Sequence, residues 1–155
     1  MTLVHFVLLA LLAVAAAAPV THAGGALRPP VIREPFTTQL CPASARTTRA
    51  TVACAEKAIL RTDRAINALV KTIFGVLPPA RRKSFVESEK AWLRYRRSSC
   101  VAQVSLYVGG SIYPVEYGYC EVARNRTHLK DLAALRCGLR PQDAMPKSCM
   151  VAKRR

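Results

Sequence analysis

Acidic residues are scarce in this chain. Nine aspartates and glutamates stand against 24 lysines and arginines, which gives a formal net charge of +15 over 155 residues. The basic residues are spread along the sequence instead of forming one cluster with interleaved aromatic residues, so specific nucleic-acid binding is not expected. The positive electrostatic field of such a protein favours anionic partners, such as an acidic protein or an anionic envelope surface.

The sequence lacks the residues that several kinds of chemistry require. No Cys-x-x-Cys pair occurs, and His128 is the only histidine beyond residue 22, so neither a metal site nor a cofactor is predicted. A glycine-rich phosphate loop and a nucleophile-elbow motif are also absent. No useful stretch alternates as a strand would, which leaves an all-α fold. These absences favour a protein that binds over one that catalyses.

The first segment of the chain is apolar from Val4 to Ala18 except for His5 and is followed by small residues at Thr21 and Ala23. This pattern is typical of a secretory signal peptide, and the run is short of the about 20 residues that span a membrane. We therefore predict an exported protein, periplasmic or secreted; an uncleaved anchor is the alternative. The predicted organisation is a signal peptide at residues 1–23, a proline-rich mobile leader at 24–40, a helical domain at 41–138 and a basic tail at 139–155.

Three helices are predicted in the domain. The first has two rows of mostly apolar residues with a seven-residue spacing, as expected of one buried helix face. The rows are Val52, Ile59, Ile66, Ile73 and Ala55, Thr62, Leu69, Val76. Prolines 78 and 79 end this helix and open the next. The predicted bounds are Ala45 to Leu77, Ala80 to Tyr107 and Val115 to Arg136, with Gly138 as the last C-terminal cap.

The cysteines predict a disulfide-stapled bundle. The chain has six cysteines, and an even number in an exported protein predicts that they form disulfides, here three. Folding the first two helices into an antiparallel hairpin about Pro78 brings Cys54 opposite Cys100, because both lie at nearly the same sequence distance from the proline. We expect that bond, with Cys41–Cys120 at one end of the bundle and Cys137–Cys149 closing the tail.

The same hairpin register places three charged residues together. Asp63 of the first helix would face Glu89 and Arg96 of the second, beneath the ring of Trp92. A buried charge needs a partner, so we interpret the three as a core ion-pair network. Acid–base catalysis by the two carboxylates is disfavoured, because an arginine between them lowers their pKa. His128 is predicted to lie alone on a helix surface.

A family resemblance rests on motifs in all three helices. The first helix carries Cys54, Asp63 and Ile66-Asn67. The second carries Glu89, Trp92, Tyr95-Arg96 and Cys100, and the segment beyond it carries Gly109-Gly110-Ser111, Pro114, Tyr117 and Cys120. Over about residues 41–135 the chain resembles the LprI-type lysozyme-inhibitor domain, a helical module of exported bacterial proteins. The resemblance implies a non-enzymatic inhibitor whose partner is lysozyme or another cell-wall hydrolase.

The predicted binding residues surround the glycine turn: Gly109, Gly110, Ser111, Tyr113 and Tyr117. An uncharged loop flanked by tyrosines suits a contact surface, although the tyrosines would equally cap the open end of a small bundle. The charge favours a different partner, because animal lysozymes are basic and like charges slow their encounter. The alternative is therefore a basic envelope protein that binds anionic polymers or a membrane surface and inhibits nothing, through Arg81-Arg82-Lys83 and Lys153-Arg154-Arg155.

Overall fold

In the part of the chain that it describes, the computed structural model has three long helices and a short 3-10 helix. It describes residues 26–37, 40–44, 46–140 and Cys149, so the predicted signal peptide and most of the basic tail lie outside the described residues. Helix α1 is Thr48–Val76, α2 is Pro79–Gln103, the 3-10 helix is Ser105–Tyr107 and α3 is Tyr113–Gly138. No strand occurs within those ranges, which confirms the all-α prediction.

The ends of the helices follow local chemistry. Helix α1 begins three residues later than predicted because Thr47 caps it, its hydroxyl accepting the backbone N–H of Ala50 at 3.2 Å. Pro79 opens α2, as expected of a residue with no amide hydrogen to leave unpaired. Helix α3 continues to Gly138, which does not have positive φ, so its predicted role as the cap is wrong. Leu139 caps the helix instead.

Helices α1 and α3 make the most extensive helix–helix contact, which the predicted α1–α2 hairpin did not anticipate. They run parallel, because the same offset of 63 residues relates Asn125 to Thr62 and Gly118 to Ala55. Gly118 has no side chain where the two backbones approach, and a Cβ there would lie 2.8 Å from the Cβ of Ala55. Helix α2 runs antiparallel to both, and the larger side chains of Trp92 and Arg96 bridge it to α1.

The apolar core fills the end of the bundle near the α1–α2 connection. Ile66 and Ile73 of the predicted stripe are at most 1 % exposed. Trp92 and Leu129 pack against this core from α2 and α3. The residues that we call the apolar core are Ile66, Val70, Ile73, Leu77, Phe85 and Leu132. Within the described part of the chain, no helix is long and apolar enough to cross a membrane.

Two of the three predicted disulfides are wrong. Cys54 bonds to Cys41, and Cys100 bonds to Cys120. The predicted Cys54–Cys100 bond assumed that α1 packs closely on α2, whereas the chain reversal after α2 brings α3 opposite Cys100. The third bond, Cys137–Cys149, joins the end of α3 to the tail.

Part of the predicted mobile leader is attached to the helices. The backbone N–H of Ile32 donates to Oδ1 of Asn67 at 2.9 Å, and Nδ2 of Asn67 donates to the carbonyl of Ile32 at 3.0 Å. Two residues later, Glu34 forms an ion pair with Arg96 at 2.8 Å. The segment contains no helix or strand and bends at Pro35 and Phe36, and at Ile32 and Glu34 it is bonded to the helices.

Candidate functional site

A buried polar cluster surrounds Arg96 of α2, which is 7 % exposed. Its Nη1 donates to Oδ1 of Asp63 at 2.9 Å and to Oδ1 of Asn125 at 3.2 Å, and its Nη2 donates to Oε1 of Glu34 at 2.8 Å. A third carboxylate, Glu121, lies 3.6 Å from Nε. The structure therefore brings Arg96 together with Asp63, as the hairpin register predicted, and supplies two further acids that the sequence did not indicate.

Asn125 ties α3 to α1 at the centre of this cluster. Its Nδ2 donates to the hydroxyl of Thr62 and to Oδ1 of Asp63, both at 2.8 Å, and the residue is fully buried. Asn125 was not among the residues predicted from the sequence. Its spacing of seven residues from both Gly118 and Leu132 is the signal that would have placed it on the buried face of α3.

Burial sets the electrostatics of the cluster. It raises the pKa of Asp63 to about 6, against the opposing charge of Arg96. It also raises the pKa of Glu121. Burial alone would lower the pKa of Arg96, but the three carboxylates Glu121, Asp63 and Glu34 together outweigh it and raise that pKa. Arg96 does lower the pKa of Asp63, as expected, but desolvation is the larger effect, so the expectation of a lowered pKa is wrong for this residue.

Glu89 was predicted beside Arg96, but it pairs with His128 instead. Its Oε2 lies 2.9 Å from Nε2 of the histidine, and both side chains are buried. The imidazole also stacks on Trp92, with 3.7 Å between ring centroids and 10° between ring planes. His128 is consequently not the lone surface residue that was predicted. Glu89 lies about two turns of α2 before Arg96. There it meets His128 of α3, whereas the sequence placed it against Asp63 of α1.

A cleft of about 630 Å³ opens beside the buried cluster. The leader and all three helices contribute to its walls, and Arg96 and Glu121 lie at its edge. Two of the predicted binding residues, Tyr113 and Tyr117, line it with their ring centroids 6.1 Å apart. The hydroxyl of Tyr117 donates to Glu121 at 3.1 Å, and burial together with that carboxylate raises the pKa of Tyr117 to about 12.

The other three predicted binding residues do not line the cleft. They lie between α2 and α3 in the mostly exposed segment 104–112, which we call the uncharged turn. Gly109 has a φ of +82°, which a residue with a side chain adopts only under strain. No charged residue occurs between Arg97 and Glu116. The turn also exposes side chains that the sequence did not single out: Leu106 is 92 % exposed and Val108 is 73 % exposed.

The basic triplet after Pro79 divides between surface and structure. Arg81 and Lys83 are exposed. Arg82 instead donates from Nε to the carbonyl of Leu77 at 3.0 Å, and its guanidinium lies 5.1 Å from the ring centroid of Phe74. It therefore satisfies a backbone carbonyl just past the end of α1, which leaves two of the three residues available to an anionic partner.

These observations describe a disulfide-linked helical module with an exposed, uncharged turn. In the described part of the chain, no group of three or more histidine, cysteine, aspartate or glutamate side chains is arranged so that it could hold a metal ion. The family model of the lysozyme inhibitor LprI matches residues 41–132, which is more than half of the chain, and the protein belongs to that family. No curated protein and no solved structure shows significant similarity to it.

Proposed function

We propose that this protein is an exported, non-enzymatic inhibitor of a lysozyme-type cell-wall hydrolase and that it makes the contact through the uncharged turn. The observation that carries the proposal is the exposure of Leu106, at 92 %, in a chain of the lysozyme-inhibitor family. Exposed apolar side chains that project from a rigid scaffold are typical of protein-binding surfaces.

The turn is held in place before it meets a partner. It lies between Cys100 and Cys120, whose disulfide is almost fully buried, with the two residues 0 % and 3 % exposed. A loop fixed at its base loses less conformational entropy on binding. The tyrosines at the start of α3 adjoin the turn, so Tyr113 and Tyr117 would extend the same contact surface towards the cleft.

The net charge of +15 makes this protein repel a basic lysozyme, but the turn itself carries no charge. Repulsion from a basic lysozyme slows the encounter, but the contact itself places no cation against another. Added salt screens that repulsion. We therefore expect inhibition of a basic lysozyme to hold or strengthen as ionic strength rises, after correction for the effect of salt on the enzyme alone.

The competing function, binding of an anionic polymer or membrane surface, has the exposed cations of Arg81 and Lys83 in its favour. Its salt dependence has the opposite sign, because binding to a polyanion weakens steeply as salt is added. Sedimentation of the protein with anionic wall polymer or vesicles between low and physiological salt tests this alternative. Loss of both inhibition and binding at physiological salt would contradict the inhibitor proposal.

The decisive assay measures lysis of cell walls by a basic lysozyme in the presence of the purified, oxidised protein. Leu106→Asp should weaken inhibition at least tenfold, because it places a charge at the centre of the apolar contact. Leu135→Asp is the matched control: Leu135 is 41 % exposed on α3, outside the turn, and its substitution should leave inhibition unchanged. Equal inhibition by the two variants would remove the turn from the site.

Export rests on the three disulfides, on the family and on the apolar segment at residues 1–23. We propose that the segment is a signal peptide removed after Ala23. N-terminal sequencing of the protein recovered from the periplasm or the medium should begin at Gly24. Recovery of an uncleaved chain in the membrane fraction would contradict this.

A further inference from the structure

Side-chain exposure alternates along the leader from residue 31 to residue 37. Ile32, Glu34 and Phe36 are partly buried against the domain, whereas the residues between them are exposed. A period of two is that of an extended strand, in which successive side chains point to opposite sides. The leader therefore turns alternate side chains towards the helices, and its backbone bends at Pro35 and Phe36.

The domain contacts this peptide both through its backbone and through its side chains. Asn67 bonds both backbone groups of Ile32, a contact that fixes the position and direction of the peptide whatever its side chain. Side-chain recognition follows at alternate positions: Ile32 packs against the apolar core, and the carboxylate of Glu34 bonds Arg96. Backbone bonds combined with pockets for alternate side chains are a recurring mode of peptide recognition.

The two halves of this contact come from different parts of the chain. The match to the inhibitor family covers residues 41–132, which includes Asn67 and Arg96 but not the leader. The Cys41–Cys54 bond attaches the chain to α1 just beyond the docked segment. The leader is thus a peptide tethered beside a groove that the family domain supplies.

We propose that the face formed by Asn67, Arg96 and the edge of the apolar core is a peptide-binding groove, which the leader occupies as an intramolecular ligand. We call it the leader groove. Its second occupant is an extended segment of a partner protein that carries a bulky apolar residue and, two positions later, a glutamate. This inference does not depend on the inhibitor function, because it uses neither the uncharged turn nor a hydrolase.

The tether makes the leader a strong competitor. A segment attached close to its own site has an effective concentration in the millimolar range, so a free peptide displaces it only at similar concentrations. Weakening the leader without touching the groove should therefore make the groove accessible. Ile32→Asp and Glu34→Lys do this, because both residues belong to the leader side of the contact.

The probe is a fluorescent synthetic peptide with the sequence of residues 28–37, and its anisotropy is measured with the full oxidised chain. We expect the Ile32→Asp and Glu34→Lys variants to bind it at least tenfold more tightly than the wild-type protein does. Replacing the glutamate of the peptide with glutamine should weaken binding at least tenfold, because the ion pair to Arg96 is lost. Replacing the exposed arginine at position 33 of the peptide with alanine should have no effect.

Circular dichroism and disulfide mapping establish that each leader variant is folded. Folded variants that fail to bind the peptide would overturn the proposal, as would binding that does not respond to the glutamine replacement. Unfolding of both variants would also overturn it, because the leader would then be an integral part of the fold. Sedimentation that shows a wild-type dimer, lost on changing Glu34 to glutamine, would place a second copy in the groove and refute the intramolecular assignment.

Discussion

Gly118 of α3 faces Ala55 of α1 so closely that a Cβ atom added at the glycine would lie 2.8 Å from the Cβ of the alanine. Real Cβ atoms do not approach one another to this distance, so a side chain at position 118 would force the two helices apart. The parallel α1–α3 packing therefore depends on a glycine at this position. The hydrogen bonds of Asn125, seven residues later on the same face, depend on the same spacing.

Gly118→Ala and Gly75→Ala should change stability in opposite directions. Overpacking of a tight contact costs about 1–3 kcal/mol, which exceeds the up to about 1 kcal/mol that alanine gains over glycine in a helix. Gly75 lies in α1 with nothing within 4 Å of its added Cβ, so its substitution should raise the free energy of unfolding. Urea unfolding of the two variants measures both signs.

The test of the mechanism is a second substitution at the contact. Ala55→Gly in the Gly118→Ala background removes the clashing methyl group and should restore part of the lost stability. A Gly118→Ala variant that is as stable as Gly75→Ala would show that the helices separate without cost, and the close approach would then not hold the bundle together.

Arg96→Ala should be far more costly than Arg94→Ala. Removing Arg96 leaves the carboxylates of Glu34, Asp63 and Glu121 close together without their cation, at an expected cost of about 3–5 kcal/mol in the free energy of unfolding. Arg94 is exposed, and its loss should cost less than about 0.5 kcal/mol. The cost at Arg96 should shrink as the pH falls through about 6, where Asp63 gains a proton. Equal melting temperatures at neutral pH would indicate that the cluster contributes nothing.

Helical periodicity and breakers were enough to predict the three helices and the all-α class. Those signals are local: the seven-residue rows of α1 identify its buried face, and Pro78 fixes where it ends. They also predicted the Asp63–Arg96 pair, because the position of the tight turn at Pro78 fixes which residues of α1 and α2 face each other. What they could not give is which helices pack most closely, since that depends on side-chain size at the contact, and Gly118 was not recognised as the point of close approach.

The missed site residues follow from the same limit. With α3 unplaced, Glu89 was assigned to Arg96 although His128 was its neighbour, and Cys100 was assigned to Cys54 although Cys120 lay opposite. Glu34 lies in a segment with no periodicity long enough to interpret, so its contact with Arg96, 62 positions away, had no local signal. The uncharged turn was recognised from its glycines, but the exposure of Leu106 depends on where the helix ends.

The Cys41–Cys54 and Cys100–Cys120 disulfides should differ in their reactivity towards a mild reductant. Cys100 and Cys120 are 0 % and 3 % exposed, whereas Cys41 and Cys54 are only partly buried. Reaction requires access of a thiolate to a sulfur atom, so Cys41–Cys54 should open before Cys100–Cys120. Timed alkylation followed by peptide mapping measures the order.

Removing the buried disulfide by Cys100→Ala and Cys120→Ala should lower the free energy of unfolding by about 2–5 kcal/mol.

Peptide mapping of the oxidised protein also checks the connectivity. A peptide linking Cys54 to Cys100 would restore the hairpin pairing expected from the sequence and contradict the structure. Simultaneous alkylation of all four cysteines would show that Cys100–Cys120 is accessible, and the turn at its end would then lack a rigid base.

The last prediction concerns pH. Burial raises the pKa of Asp63 in the folded protein from 3.8 to about 6, so the folded state holds a proton that the unfolded state has released between these values. The contribution of Asp63 to stability is therefore full below about pH 3.8 and is lost as the pH rises through about 6. The shift corresponds to up to about 3 kcal/mol, at 1.36 kcal/mol for each pKa unit.

Asp63→Asn removes this titration and keeps the shape of the side chain. The free energy of unfolding of the variant, minus that of the wild type, should rise between pH 4 and pH 7.5 by up to about 3 kcal/mol. Asp131→Asn, at an exposed position of α3, is the control and should give a difference that hardly changes with pH. A difference that falls with rising pH at Asp63 would mean that the Arg96 charge outweighs burial and that the carboxylate is ionised throughout. Urea titrations at half-unit pH steps distinguish the two signs, because one curve rises where the other falls.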